Sequence, residues 1–131
     1  MSMSTMEYTP RGMFRRWFSF LGGGAAWTFH LMAIYVIGEF GCVSGLDNHV
    51  YAGISAVAWL LFFVSIISLV PAVAAAWIGY ADTRSDARQS EINPYDEGGR
   101  YLSSFGWPLN TIFSLIILVE SLPVFAYLDG C

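Results

Sequence analysis

Residues 51–80 read YAGISAVAWLLFFVSIISLVPAVAAAWIGY, 30 consecutive positions without a charged side chain. As a helix the run would rise roughly 45 Å, against a bilayer hydrocarbon core of about 30 Å. It therefore crosses a membrane, and its excess length requires tilt, a bend, or projection beyond the lipid. Pro71 lacks an N–H and is expected to bend the helix toward its C-terminal end. Ser65 or Ser68 would then bond to the carbonyl that the proline leaves free.

Two more runs flank this one. Residues 17–38 carry no charge and would rise roughly 33 Å as a helix. A third run follows residue 100. Its Trp107-Pro108 pair suits a helix first turn, which would leave residues 101–106 at the interface. The chain has 131 residues, 56% hydrophobic and only 12% charged, where a soluble domain carries about 25%. The expected fold is an all-α membrane protein with three transmembrane helices and a single membrane domain over residues 1–131. The spans are placed at about 17–38, 51–80 and 104–128, with a polar loop over 81–100. A soluble helical bundle would not leave 30 residues in a row uncharged.

Charge placement orients the spans. All six basic residues are arginines: Arg11, Arg15 and Arg16 precede the first span, and Arg84, Arg88 and Arg100 lie between the second and third. The positive-inside rule makes that side cytoplasmic, so the N-terminus is inside and the C-terminus outside. Trp17, Trp77, Tyr80, Tyr101 and Trp107 fall at the inner boundary, and Tyr51 and Tyr127 at the outer one, as aromatic belts do. Arg15-Arg16 before an apolar run is faintly like a twin-arginine signal, but no soluble cargo follows, and the run reads as an uncleaved anchor. The net charge of −4 carries no basic footprint for nucleic acid. The polar second loop and the N-terminal tail would fray in an isolated bundle, so a neighbouring chain is expected to hold them.

The polar residues inside the spans are the candidates for function. His30 lies roughly 20 Å from the inner end of the first helix, and Glu120 roughly 18 Å from Pro108, so the two meet at similar depth in the outer half of the bilayer. Buried together, each supplies the other's hydrogen bond. Two readings stay open: a pair facing a proton path or a quinone head group, or a satisfied polar pair that locks helix packing, the commoner role in accessory subunits. Gly23, Trp27, His30, Ile34 and Gly41 share one helical stripe, while Tyr35, Glu39 and Cys42 share another. Polar groups on two faces of one helix imply protein on both sides. One intramembrane histidine cannot hold a bis-histidine haem alone, and His49 in the first loop has no metal partner at suitable spacing. The chain shows no catalytic triad, metal cluster or phosphate cradle.

Gly22, Gly23 and Gly24 let helix backbones approach closely, and Pro71 joins them as a packing determinant through its bend. Cys42 and Cys131 both fall on the expected outer side, where bacteria oxidise thiols, and are expected to form a disulfide; two free thiols are the alternative. In a free chain such a loop is worth about 4–5 kcal/mol, and less among helices already confined by a bilayer.

The spacing G-G-x-x-x-W-x-x-H-L-x-x-x-Y-x-x-x-E-x-x-C is carried here by Gly22, Gly23, Trp27, His30, Leu31, Tyr35, Glu39 and Cys42. It resembles small membrane proteins encoded beside bacterial haem-copper oxidases and alternative complex III, the quinol-oxidising complex that replaces the cytochrome bc complex in some bacteria. The resemblance covers mainly the first helix and the outer loop. It implies an accessory, non-catalytic subunit of an electron-transfer complex in the bacterial cytoplasmic membrane. Such a subunit would stabilise larger redox subunits, with His30 and Glu120 lining a proton or quinol path. No cofactor would be bound by this chain alone; quinone or haem would sit in neighbouring subunits. An oxidase assembly factor and a small homo-oligomeric transporter or channel are the rival readings.

Overall fold

The computed structural model describes residues 10–89 and 97–131. Three long helices dominate: α1 (Pro10–Val43), α2 (Ala56–Gln89) and α3 (Glu97–Ser121). Each packs against the other two. Their apolar segments, Met13–Val43, Ala56–Ser85 and Ser104–Tyr127, have mean hydropathies of 1.5, 2.5 and 1.9 and are long enough to cross a membrane. In lipid a helix satisfies its own backbone polar groups, which is why such sequences adopt one. The chain is an all-α, multi-pass membrane protein.

Its interior is small and polar, and its exterior large and apolar. Buried positions include Ser19 and Ala26 on α1, Ser65, Ser68, Ala72 and Ala75 on α2, and Asn110, Ser114 and Ile117 on α3. Phe14, Phe29, Phe63, Val70, Leu115 and Val119 are exposed. In water this distribution would be inverted. In a bilayer, apolar side chains gain nothing by leaving lipid, so helices associate through close backbone approach and interhelical hydrogen bonds.

Glycines mark the closest approaches. A Cβ at Gly22 would lie 2.9 Å from Ala75 Cβ, and one at Gly23 would overlap Asn110 Oδ1. One at Gly106 would lie 2.6 Å from the Ser19 carbonyl oxygen. Gly22 and Gly23 thus act as the close-packing positions that the sequence implies. Gly24 does so only loosely, at 3.5 Å from the Phe113 ring. Pro71 is half-buried, and α2 runs through it as one helix. Neither serine takes the expected role there. Ser65 Oγ donates to the Leu61 carbonyl at 2.8 Å, and Ser68 Oγ has no hydrogen-bond partner.

The helix limits differ from the expected ones for identifiable reasons. α1 extends past both ends of 17–38, from Pro10 to Val43. α2 starts at Ala56 rather than at 51, because Val50–Tyr51 and Ile54–Ser55 form a small antiparallel hairpin. Its two-residue turn has positive φ at Ala52 (53°) and Gly53 (81°), the combination that two-residue hairpins favour. Ser55 then caps α2: its Oγ accepts the Ala58 N–H at 3.2 Å. The third helix begins at Glu97, so the residues placed at the interface, 101–106, are helical and Pro108 lies inside. Tight packing supports the helix there, with Gly106 on Ser19 and Gly79 on the Trp107 backbone. The expected loop over 81–100 is mostly helix: α2 continues to Gln89, and α3 already covers residues 97–100. The tail and loop residues expected to be held by a neighbour, 1–9 and 90–96, lie outside the described residues.

Each end of the bundle has a fastening. At one end the Arg15 guanidinium engages both Asp82 carboxylate oxygens, at 2.6 and 3.3 Å, joining α1 to α2. At the other end Cys42 and Cys131 form a disulfide, with their Cα atoms 5.8 Å apart. There, too, the Ser55 N–H donates to the Leu128 carbonyl at 3.0 Å and Ser55 Oγ to the Tyr127 carbonyl at 2.6 Å. These contacts tie the start of α2 to the short 3₁₀ helix Leu122–Tyr127 that ends the third span.

Candidate functional site in the bundle interior

Two polar centres lie on the inward stripe of α1. The first is built on Asn110, which is fully buried. Its Oδ1 accepts the Gly23 N–H at 2.8 Å, and its Nδ2 donates to the Ser19 carbonyl. Residues 19 and 23 are the acceptor and donor that a regular α-helix pairs with each other. One carboxamide therefore spans one rung of α1 from the side. Ser114 Oγ donates to the Asn110 carbonyl at 2.8 Å, and Ser19 Oγ to the Arg16 carbonyl at 2.8 Å. Both polar atoms of the Asn110 side chain are satisfied, and the centre reads as a clamp between α1 and α3.

The second centre is the pair expected from the sequence. His30 is completely buried, and its Nδ1 lies 3.5 Å from Glu120 Oε2. That is within ion-pair range, yet neither atom makes a hydrogen bond. On its other side, His30 Nε2 lies 3.2 Å from Ser65 Oγ and 3.4 Å from Ser121 Oγ. Glu120 Oε1 accepts the Trp27 indole N–H at 3.2 Å, and Trp27 itself packs on Phe113, ring centroids 5.5 Å apart. The Glu120 side chain is 28% exposed. All three helices thus converge on one imidazole.

The surroundings are asymmetric. Ser65 and Ser121 also line a cavity of about 510 Å³ between α2 and the end of the third span. Its remaining walls are apolar and include Trp59, Phe62, Leu118 and Phe125. The serines are thus the polar contact between that space and His30. Tyr35 and Glu39, on the second stripe of α1, are exposed and face away from the bundle. Among the described residues no three His, Cys, Asp or Glu side chains converge as a metal site.

The sequence identifies His30 and Glu120 but not the groups that hold them. Reading by position gives Ser65 to the proline, passes over Ser121, and makes Trp27 part of a stripe rather than a donor to Glu120. It misses Asn110 altogether. A signal for it exists: Gly106, Asn110, Ser114, Ile117 and Ser121 recur at helical spacing on one face of α3. No protein-family model, curated protein or solved structure matches this chain.

Proposed function

We propose that this chain is an accessory, non-catalytic subunit of a bacterial electron-transfer complex of the alternative complex III type, in the cytoplasmic membrane. It would brace larger subunits that carry haem or quinone, and its His30–Glu120 pair would line a proton or quinol route. The observation that carries this reading is the outward stripe of α1. Tyr35 is 67% exposed, and Glu39 is exposed on the same side. Tyr35 falls within the uncharged span, where an exposed polar group seeks a partner, while Glu39 lies near the helix end, close enough to the membrane surface to be hydrated. Among the described residues, Thr28 and Thr111 instead spend their hydroxyls on their own helix backbones. The stripe that remains is a surface for another subunit.

The test is to solubilise native membranes in mild detergent and identify what migrates with the chain. The proposal expects redox subunits in fixed ratio to one copy. Recovery as a free monomer or a homo-oligomer, with no redox subunit, would overturn it. Association during biogenesis alone, followed by absence from the finished enzyme, would indicate an assembly factor.

A further inference from the structure

The hydrogen-bond partners around His30 constrain where its ring hydrogens sit. A serine hydroxyl has one proton to give and two lone pairs. Ser65 Oγ gives its proton to the Leu61 carbonyl at 2.8 Å, and Ser121 Oγ gives its own to the Ile117 carbonyl at 2.6 Å. Both oxygens therefore turn lone pairs toward His30 Nε2, at 3.2 and 3.4 Å. With both hydroxyl protons on the backbone carbonyls, Nε2 is satisfied by the serines when it carries the hydrogen.

A neutral imidazole has only one N–H. With that hydrogen on Nε2, Nδ1 is a bare lone pair, and it faces Glu120 Oε2 at 3.5 Å. If the carboxylate is ionised, two acceptors face each other with nothing between them. Neither has another partner. One added proton resolves the conflict, whether it resides on nitrogen or on oxygen. Imidazolium beside carboxylate and imidazole beside carboxylic acid are both neutral overall. Losing that proton leaves a net negative charge inside the membrane, and gaining a second leaves a net positive one; both are costly in lipid. Among the described residues, the other side chains hydrogen-bonded to the pair are Trp27 on α1, Ser65 on α2 and Ser121 on α3, none of them charged.

We infer that His30 and Glu120 form an intramembrane binding site for a single proton, shared between Nδ1 and Oε2, with the imidazole held in its Nε2–H form by Ser65 and Ser121. Oε2, the atom that shares the proton, is itself buried, and the serines present the other side of the ring to the apolar cavity. Moving the proton from Oε2 to Nδ1 keeps the net charge at zero and replaces two neutral groups by an adjacent imidazolium–carboxylate pair, whose charges offset each other. This deepens the proton-route part of the proposed function. It concerns the chain alone, so it stands or falls separately from the question of partners.

The test uses the full chain in lipid nanodiscs at neutral pH, with nitrogen-15 histidine and with His49→Gln so that one imidazole remains. Nitrogen NMR reads which ring atoms are protonated, and the infrared carboxylic C=O band reads Glu120. Loss of that band in Glu120→Gln assigns it. Two results support the inference: both ring nitrogens protonated with no carboxylic band, or Nε2 alone protonated with the band present. Three overturn it. They are Nδ1 alone protonated, Nε2 alone protonated beside an ionised carboxylate, and both nitrogens protonated with the band present. The decisive reading is made with Glu120 intact, so a folding failure of Glu120→Gln would not obscure it.

Discussion

The Asn110 clamp and the His30–Glu120 pair lie two turns apart on the same inward stripe of α1, roughly 10 Å along its axis. Asn110 and His30 are both buried, both centres bridge α1 to α3, and they differ in how complete they are. Both side-chain atoms of Asn110 have partners on the α1 backbone. The histidine site leaves Nδ1 and Oε2 without hydrogen bonds. A saturated polar centre in lipid is a packing device, because it has nothing left to exchange. The histidine site has two facing polar atoms without hydrogen bonds, which is where we infer a shared proton. The contrast sets a satisfied polar contact beside an unsatisfied one on one helix face.

The contrast is broken most severely at Gly106. A Cβ there would meet the Ser19 backbone oxygen at 2.6 Å, and main chain cannot rotate away. Gly106→Val is expected to force α1 and α3 apart and to cost more than about 3 kcal/mol. Reversible unfolding in mixed detergent micelles would show this as loss of the folded state, and a stable folded variant would refute the clamp geometry.

Neighbouring glycines give a sharper comparison. Gly23→Ala places its methyl against Asn110 and should cost about 2 kcal/mol. Gly24→Ala meets only the edge of Phe113 at ordinary distance and should be neutral or stabilise by up to about 1 kcal/mol through helix propensity. The same unfolding assay ranks them, and equal effects would show that the clamp is not where we place it.

Cys131→Ser should destabilise by roughly 1–2 kcal/mol, below the chain-entropy value for a free loop, because the bilayer already confines the helices. The loss should appear in protease protection of the hairpin end and leave the Arg15–Asp82 end unchanged. At the small end of the scale, a Cβ at Gly38 would meet nothing within 4 Å. Gly38→Ala should be neutral or stabilise by up to about 1 kcal/mol through helix propensity. A large loss there would show that this face is covered in the isolated chain.

The spans were legible because a helix-length run without charge is at home in lipid and in few places besides. The inward stripe was legible too: Gly23, His30 and Gly41 are buried, while Tyr35 and Glu39 are exposed. Helix limits were harder. Pro108 looks like a helix start, but packing by Gly106 and Gly79 carries the helix through it, and that support comes from other helices. Residues 50–55 continue the uncharged run, and only the Ala52-Gly53 turn distinguishes hairpin from helix. The pairing of His30 with Glu120 followed from depth alone. The roles of Ser65 and Ser121 did not, because a serine's neighbour across a helix interface depends on rotation about the helix axis, which one sequence leaves open.

One measurement bears on the division most directly: the unfolding free energies of Asn110→Ala and Glu120→Gln, side by side with the unaltered chain in the same lipid–detergent mixture. Removing the carboxamide deletes two interhelical hydrogen bonds and some packing, and should cost about 2 kcal/mol. The glutamine keeps an acceptor for Trp27 and offers an N–H to Nδ1, so the loss should stay below about 0.5 kcal/mol. If Glu120→Gln costs as much as Asn110→Ala, the pair is a second packing clamp and the division between the two centres is wrong.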